Sequence, residues 1–262
     1  MDAGNTSMPE DDLLWAAARR LASARHAIAL TGAGVSTASG IPDFRGRDGL
    51  WRKIPSWKFT IDYFLEHPLE VWELYAARYK ALKGAEPNPA HYALARLESL
   101  GVLKAIITQN IDGLHWKAGS RNVIELHGNI REAVCLSCGA VVPIEEALAM
   151  VEKGETPRCR RCGGLLKPNV ILFGEPLPAD AVQKAFMLAE RSDVILVAGS
   201  SLYVSPANQI PVVVKARGGT VIAVNMGEIA YRDIIDILIE GRTETVLPEI
   251  ARRVEILLSG NA

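Results

Sequence analysis

Residues 27–46, AIALTGAGVSTASGIPDFRG, decide the fold: an apolar run from Ala27 to Leu30 passes directly into a glycine-rich turn. A buried strand that ends in such a turn can bring backbone N–H groups against a phosphate, which points to a nucleotide cofactor. The usual dinucleotide fingerprint is not fully met. Gly32 and Gly34 supply G-x-G, but Thr37 stands where the third glycine belongs. Ser36, Ser39, Gly40 and the run Pro42-Asp43-Phe44-Arg45 follow, a polar and aromatic loop where an ordinary fingerprint would already be helical. Phosphate cradling alone does not account for this loop.

Outward from it the chain reads as α/β. Leu13, Leu14, Ala17 and Leu21 give a helical period to Asp11–Ala24, ahead of a strand at Ala27–Thr31. Short β-branched runs recur at Leu103–Thr108, Val194–Gly199 and Val221–Asn225, with helical patterns at Ala90–Leu100, Ala179–Glu190 and Pro206–Ala216. Such alternation predicts a parallel sheet covered on both faces, whose ligands collect at the carboxyl ends of the strands. Gly32–Arg45, Thr108–His115, Gly199–Ser201 and Asn225–Gly227 all begin where a predicted strand stops. Two stretches break the pattern: Gly46–Ala85, rich in aromatics and read as short helices, and Arg131–Lys167, which holds the cysteines. Both read as insertions forming a smaller lobe.

With 262 residues and a net charge of -1, the chain can bury a sizeable core and carries no strong field toward nucleic acid or a membrane. Its apolar runs, such as Val194–Ala198 and Ile210–Val214, fall far short of the roughly 18–20 residues of a spanning helix. The polar, acidic start MDAGNTSMPEDD lacks the features of a secretory signal. A soluble protein of the cytoplasm is expected.

All four cysteines fall in one pattern. Cys135 and Cys138 form one C-x-x-C, Cys159 and Cys162 another, with twenty residues between them. Two such knuckles complete a tetrahedral set of thiolates with no open position, which reads as one structural zinc ion; two disulfides or two redox pairs are the rivals, and reducing conditions disfavour them. Arg158, Arg160, Arg161 and Lys167 lie on this ribbon and read as a solvated basic face.

Thr108-Gln109-Asn110-Ile111-Asp112-Gly113-Leu114-His115 places amides and a carboxylate at a strand end, where they could bond a ribose or carboxamide, or serve as turn formers and helix caps. Glu125-Leu126-His127-Gly128 sets a histidine after another apolar run. Near its ordinary pKa of about 6.5 a histidine is the natural general base at neutral pH, although a lone histidine is more often structural.

Taken together the chain resembles the sirtuins, NAD-dependent protein-lysine deacylases, from about Leu14 to Val254. The resemblance rests on GAGVSTASGIPDFRG (32–46), TQNIDGLHWKAG (108–119), ELHG (125–128), the four cysteines, KPNVILFGE (167–175), GSS (199–201) and VNMG (224–227). It implies a discontinuous Rossmann-like NAD domain over 1–46, 86–130 and 168–262, and a small lobe made of a helical module (47–85) and a zinc module (131–167). Acyl-lysine and NAD would meet between them. NAD is then consumed as a co-substrate: nicotinamide leaves, a ribose hydroxyl deprotonated by His127 attacks, and free lysine and 2'-O-acyl-ADP-ribose result. Acetyl is the first acyl group implied, with acyl-lysine proteins or peptides as partners. Nucleic acid is not directly indicated, while protein targets of the chromatin type fit.

The resemblance also assigns roles. His127 is the base, with Asn110 beside it in catalysis. The Ile111 backbone and the Asp112 carboxylate hold the carboxamide, and Asn110 and Gln109 the nicotinamide ribose. Phe44 shields the reacting carbon, within a flap over Ile41–Arg45 that closes on the ribose. Gly32, Ala33, Gly34, Ser36, Thr37, Gly199, Ser200 and Ser201 surround the pyrophosphate, whose charge Arg45 offsets. Asp43, Trp51, Asn225, Met226, Gly227 and Thr243 complete the cofactor contacts. Asp43 and Ser39 could equally serve the turns of the loop.

On the substrate side, Val170, Ile171, Phe173 and Gly174 lie where family members pair with peptide backbone, and Val170–Phe173 is an extended apolar run suited to strand addition. Tyr75 and Arg78 share a helical face. In one family branch a Tyr-x-x-Arg at this place receives the carboxylate of malonyl- or succinyl-lysine; an ordinary amphipathic helix would show the same two residues. Transfer of ADP-ribose to protein in the same cleft, and a non-catalytic zinc-dependent adaptor, are the other function classes weighed.

Overall fold

The structure, a computed structural model, describes residues 9–44 and 49–260. Among these, helix α1 (Glu10–Ala22) leads into strand β1 (Ala27–Thr31). Helices α2 (Ile61–Glu66), α3 (Pro68–Lys83) and α4 (Pro89–Ser99) precede β2 (Leu103–Thr108). A short helix α5 (Leu114–Lys117) is followed by β3 (Val123–Glu125), β4 (Gly128–Cys135), β5 (Val141–Pro143), α6 (Ile144–Val151) and β6 (Leu166–Val170). The chain ends in α7 (Ala179–Arg191), β7 (Val194–Ala198), α8 (Gln209–Ala216), β8 (Thr220–Asn225), β9 (Ile237–Glu240) and α9 (Thr243–Ser259).

The main sheet has six parallel strands in the order β3-β2-β1-β7-β8-β9. Numbered within this sheet alone the order is 3-2-1-4-5-6, the doubly wound dinucleotide-binding arrangement, whose switch point falls between β1 and β7. Every residue of β1 and β7 is buried. Helices cover both faces, which is why these strands read as continuous apolar runs rather than alternations. Ala27 and Ala29 pack with α1, α4 and α9 on one face, while Ile28 and Leu30 pack with α7 and α8 on the other. Each fully buried Ile or Leu contributes about 1.5–3 kcal/mol.

A second sheet, β5-β4-β6, is antiparallel and belongs to the cysteine ribbon. Phe64, Val71, Trp72 and Tyr75 from α2 and α3 share one hydrophobic cluster with Ile130, Cys135, Ile144, Cys159 and Leu166 of the ribbon. The Trp72 indole N–H donates to the Leu166 carbonyl at 2.8 Å and fixes this contact.

The expected short helices of 46–85 are corrected in one respect: α3 runs through sixteen residues, because Pro68 starts it and its buried face is anchored on the ribbon. The glycine-rich turn is corrected in another. Ala33–Ser39 is a 3-10 helix that ends at Gly40, where φ is +82°, so regular structure resumes directly after Gly32. The third correction concerns the basic face of the ribbon. Lys167 is buried, whereas Arg158, Arg160 and Arg161 are exposed as expected, with Arg158 and Arg161 also donating to the carbonyls of Gly163 and Cys138.

Candidate active site

A cavity of about 1130 Å³ opens at the carboxyl ends of the parallel strands and is lined by residues of both sheets' lobes. Its floor is the contact between the β1 and β7 loops. A Cβ on Gly32 would lie 2.7 Å from the Gly199 carbonyl oxygen, and one on Gly34 2.8 Å from Gly199 Cα. The Gly32 and Gly34 N–H groups donate to the carbonyls of Ala198 and Gly199 at 3.1 and 2.9 Å. These two glycines therefore serve close packing of the two strand ends, and their N–H groups are engaged within the fold. This corrects the expectation that the Gly34 N–H approaches a phosphate.

Beside this floor lies a buried polar network. Asn110 Nδ2 donates to the Gly32 carbonyl and to Ser36 Oγ, both at 3.1 Å, which turns its amide oxygen, an acceptor, away from those two acceptors. Ser36 Oγ in turn donates to Asp112 Oδ2 at 2.7 Å. Asp112 Oδ1 accepts from the Leu114 N–H at 2.9 Å, so the carboxylate also caps the turn, as an aspartate in this position often does. Gln109 is held by its side chain on Ser200 Oγ at 2.9 Å and by its N–H on the Thr31 carbonyl at 3.0 Å.

His127 Nδ1 lies 2.9 Å from the Gln109 carbonyl oxygen. A carbonyl can only accept, so Nδ1 carries the proton and Nε2 keeps its lone pair. Desolvation by burial lowers the imidazole pKa below its ordinary value, and the bond to Gln109 offsets part of that shift. His127 lines the cavity, and at neutral pH it is uncharged with a basic nitrogen available.

The cavity brings together Gly32, Ala33, Gly34, Ser36, Thr37, Ile41, Asp43, Phe44, Gln109, Asn110, Ile111, Asp112, His127, Gly199, Ser200, Ser201, Asn225, Met226, Gly227 and Thr243. It also includes Tyr75, Arg78, Val170, Ile171, Phe173 and Gly174. Arg45 and the side chain of Trp51 lie outside what is described. Thr243 Oγ1 donates to the Gly34 carbonyl at 3.3 Å, which ties the start of α9 to the glycine turn. Ser39 accepts from Asn88 Nδ2 at 3.0 Å, a structural use within the turn. Val170–Phe173 differs from the expected open strand: β6 ends at Val170, and the N–H groups of Ile171, Leu172 and Phe173 already donate to His127 O, Glu175 Oε2 and Phe59 O.

Sequence reading missed several lining residues, among them Leu82, Tyr203, Glu228 and Glu244. It also missed His91 and gave His115 no role of its own; the two are buried behind the network with ring centroids 5.0 Å apart. Asn88-Pro89-x-His91 was a usable signal, because His91 closes a capping box with Asn88 at the start of α4.

The four cysteine sulfurs lie within 4.8 Å of one another, with Cys135–Cys162 at 3.5 Å and Cys138–Cys159 at 3.8 Å. These separations are far longer than a disulfide, and they match the roughly 3.8 Å between sulfurs that a tetrahedral site with 2.3 Å Zn–S bonds requires. In both knuckles the residue four after the first cysteine is a glycine with positive φ, Gly139 at +68° and Gly163 at +74°. The set is compatible with one structural zinc ion.

A parallel sheet in this order, with its cleft at the switch point and a four-cysteine ribbon beside it, defines a dinucleotide-binding α/β protein with a metal-ribbon lobe. The model of the Sir2 family matches residues 32–206. The chain belongs to the Sir2 family. It is 52% identical over 231 residues to an NAD-dependent protein deacetylase 1 of Pyrobaculum aerophilum, covering 88% of this chain and 91% of the relative. It is 50% identical over 251 residues to an NAD-dependent protein deacylase of Thermococcus kodakarensis, covering 94% and 98%. The solved structure of a Sir2 homologue in complex with NAD superimposes with a TM-score of 0.86 at 44% identity, covering 98% of each chain. No described helix is long and apolar enough to cross a membrane.

Proposed function

We propose that this protein removes acyl groups, acetyl in the first place, from lysine side chains of proteins, consuming NAD and yielding nicotinamide, free lysine and 2'-O-acyl-ADP-ribose. The observation that carries the reading is the tautomer of His127, whose unprotonated Nε2 belongs to a ring in the wall of the cavity that Asn110 and Asp112 also line. When bound, NAD supplies a glycosidic carbon from which nicotinamide can leave. Every other task falls to the chain. Asn110 and Gln109 hold the ribose, and the Asp112 carboxylate and Ile111 backbone hold the departing carboxamide. Phe44 keeps water off the reacting carbon, and His127 takes a ribose hydroxyl proton at Nε2. The remaining cavity residues, from the glycine turn to Asn225 and Thr243, hold the adenosine and pyrophosphate. Val170, Ile171, Phe173 and Gly174 receive the peptide. The cysteines hold zinc at a distance from the chemistry, as structural ligands.

The same reading divides the chain into a dinucleotide domain, 1–46, 86–130 and 168–262, and a small lobe of 47–85 and 131–167. The core shared by α2, α3 and the ribbon supports this division.

A second reading concerns the acyl group. Tyr75 and Arg78 both line the cavity, and Arg78 Nε is buried with no hydrogen-bond partner among the described residues. The Arg78 guanidinium lies 5.2 Å from the Phe44 ring centroid. A desolvated guanidinium with an unused donor suits a carboxylate, so malonyl- or succinyl-lysine is a further substrate class.

Incubation with NAD and a panel of acyl-lysine peptides, followed by mass spectrometry, tests the function. Nicotinamide and free lysine are expected in equal amounts, and free lysine forms about 10²–10⁴-fold more slowly in the His127→Ala variant. Deacylation that proceeds without NAD would overturn the proposal, and labelled ADP-ribose on protein would favour transfer of that group instead.

A further inference from the structure

The KPNVILFGE segment contains a charge that the chemistry above does not use. The side chain of Lys167 is 3% exposed, although it stands on a strand next to the arginine-rich ribbon. All three ammonium protons have acceptors: the Val170 carbonyl at 2.6 Å, the Pro168 carbonyl at 3.1 Å and Glu175 Oε2 at 3.1 Å. Val170 opens the turn that lines the cavity and Glu175 closes it, so a single ammonium binds both ends.

The same carboxylate oxygen of Glu175 accepts the Leu172 N–H at 2.8 Å, and the Glu175 N–H returns to the Leu172 carbonyl at 3.0 Å. Between these bonds Ile171 donates to the carbonyl of His127 at 3.0 Å. Phe173 exchanges bonds with the helical module, donating to Phe59 O at 2.9 Å and accepting from the Ile61 N–H at 2.9 Å. With those donors engaged, what this turn offers a substrate backbone is the Ile171 carbonyl and the peptide groups of Gly174. Their direction depends on the shape of the turn.

A buried ion pair is a poor device for stability, because desolvation cancels most of the attraction and an apolar pair of similar volume would do as well. What an ammonium adds is a fixed three-way geometry. We propose that Lys167 is the positioning residue of the substrate platform: by bonding Val170, Pro168 and Glu175 at once it holds Val170–Glu175 in the form that receives the acyl-lysine peptide. The inference rests on the function proposed above and extends it to a residue that touches no substrate.

Steady-state kinetics with an acetyl-lysine peptide provide the test. In Lys167→Met the KM for peptide rises about tenfold, the loss expected for one charge-assisted contact, while the KM for NAD stays within about twofold. Lys167→Arg, which keeps the charge, restores most of the peptide KM. Because Lys167→Met leaves the Glu175 carboxylate unpaired and could unfold, the neutral double variant Lys167→Met/Glu175→Gln carries the same test. Its peptide KM stays raised even where its melting temperature matches the unsubstituted protein. A normal peptide KM in the double variant overturns the inference, as does a parallel rise in both KM values. Absence of any NAD-dependent deacylation by the unsubstituted protein would instead bring down the proposed function, and would be seen before a variant is made.

Discussion

The Nδ1–H of His127 donates to the Gln109 carbonyl at 2.9 Å, and the N–H of that same Gln109 donates to the Thr31 carbonyl at the end of β1. The ring is thus oriented from the central strand of the sheet, and its tautomer is set by a group that cannot donate. A base on a loop with no such bond would sample both tautomers, and in one of them Nε2 carries the proton and cannot accept another.

The pH dependence of deacylation follows from this bond. Burial lowers the His127 pKa, with the Gln109 carbonyl restoring part of the shift, so the basic form persists to below the ordinary value of 6.5. The acid limb of kcat/KM is expected to have its midpoint under pH 6.5, and His127→Ala should lower kcat by about 10²–10⁴-fold, the range for a positioned general base. An acid limb centred well above 6.5 would contradict the assignment.

Gly34 gives a prediction about packing. An added Cβ meets backbone on the far side, Gly199 Cα at 2.8 Å and Gly199 O at 2.9 Å, and backbone cannot yield as a side-chain end can. Gly34→Ala should cost about 1–3 kcal/mol as an overpacked contact, and each kcal/mol lowers Tm by about 2–4 °C at this chain length. Gly84, with nothing within 4 Å of a built Cβ and no positive φ, is the control, and Gly84→Ala should leave Tm unchanged or higher. Equal melting of the two variants would show that the strand-end contact is looser than its geometry.

The same position shows where sequence reading succeeds and where it stops. β1 is legible to the residue, because a strand buried on both faces is almost wholly apolar and the turn after it is marked by glycine; the apolar run of β2 is legible in spite of the exposed Lys104 within it. The cysteine site is legible because a knuckle is a local object. What stayed hidden depends on partners that residue identity does not record, whether far along the chain or on its backbone. Gly34 answers to Gly199, and nothing in a G-x-G pattern reveals that its N–H is taken. Lys167 beside three arginines reads as solvated, since two of its three acceptors are backbone carbonyls and these leave no trace in side-chain identity. β9 and α9 escaped notice for a related reason: Ile237–Glu240 is a short edge strand of mixed burial, and α9 is recognised through its packing on α1 and α4.

His91 and His115 bear on acid stability. Burial lowers their pKa values to about 4 and about 3, and His115 Nδ1 has no hydrogen-bond partner among the described residues. Both are neutral in the fold, whereas in the unfolded chain they protonate near 6.5. Their contribution is therefore complete above pH 6.5 and is lost as pH falls through 6.5 toward 4 and 3, at up to about 1.4 kcal/mol per pH unit for each ring. Urea unfolding at pH 7 and pH 5 should differ by about 2–4 kcal/mol in favour of pH 7. Identical unfolding free energies would mean that these rings are solvated.

Arg78 separates the two acyl classes. Burial lowers its pKa, while Tyr75 and Asp112 act in the other direction, so the charge is retained in a site short of water. Burial likewise pushes the Tyr75 hydroxyl up to about 12, which keeps it a neutral donor. A carboxylate on the acyl chain would meet both groups, whereas an acetyl methyl gains nothing from either. Arg78→Met should therefore lower kcat/KM for a succinyl-lysine peptide by about 10–100-fold, the loss of a charge-assisted contact, and change the acetyl value by less than about threefold. Should both substrates fall together, Arg78 acts through its contact with the Phe44 ring, holding the shield over the ribose, and the carboxylate role is wrong. Should neither change, the buried donor is packing alone, and acetyl-lysine stands as the substrate without a carboxylated rival.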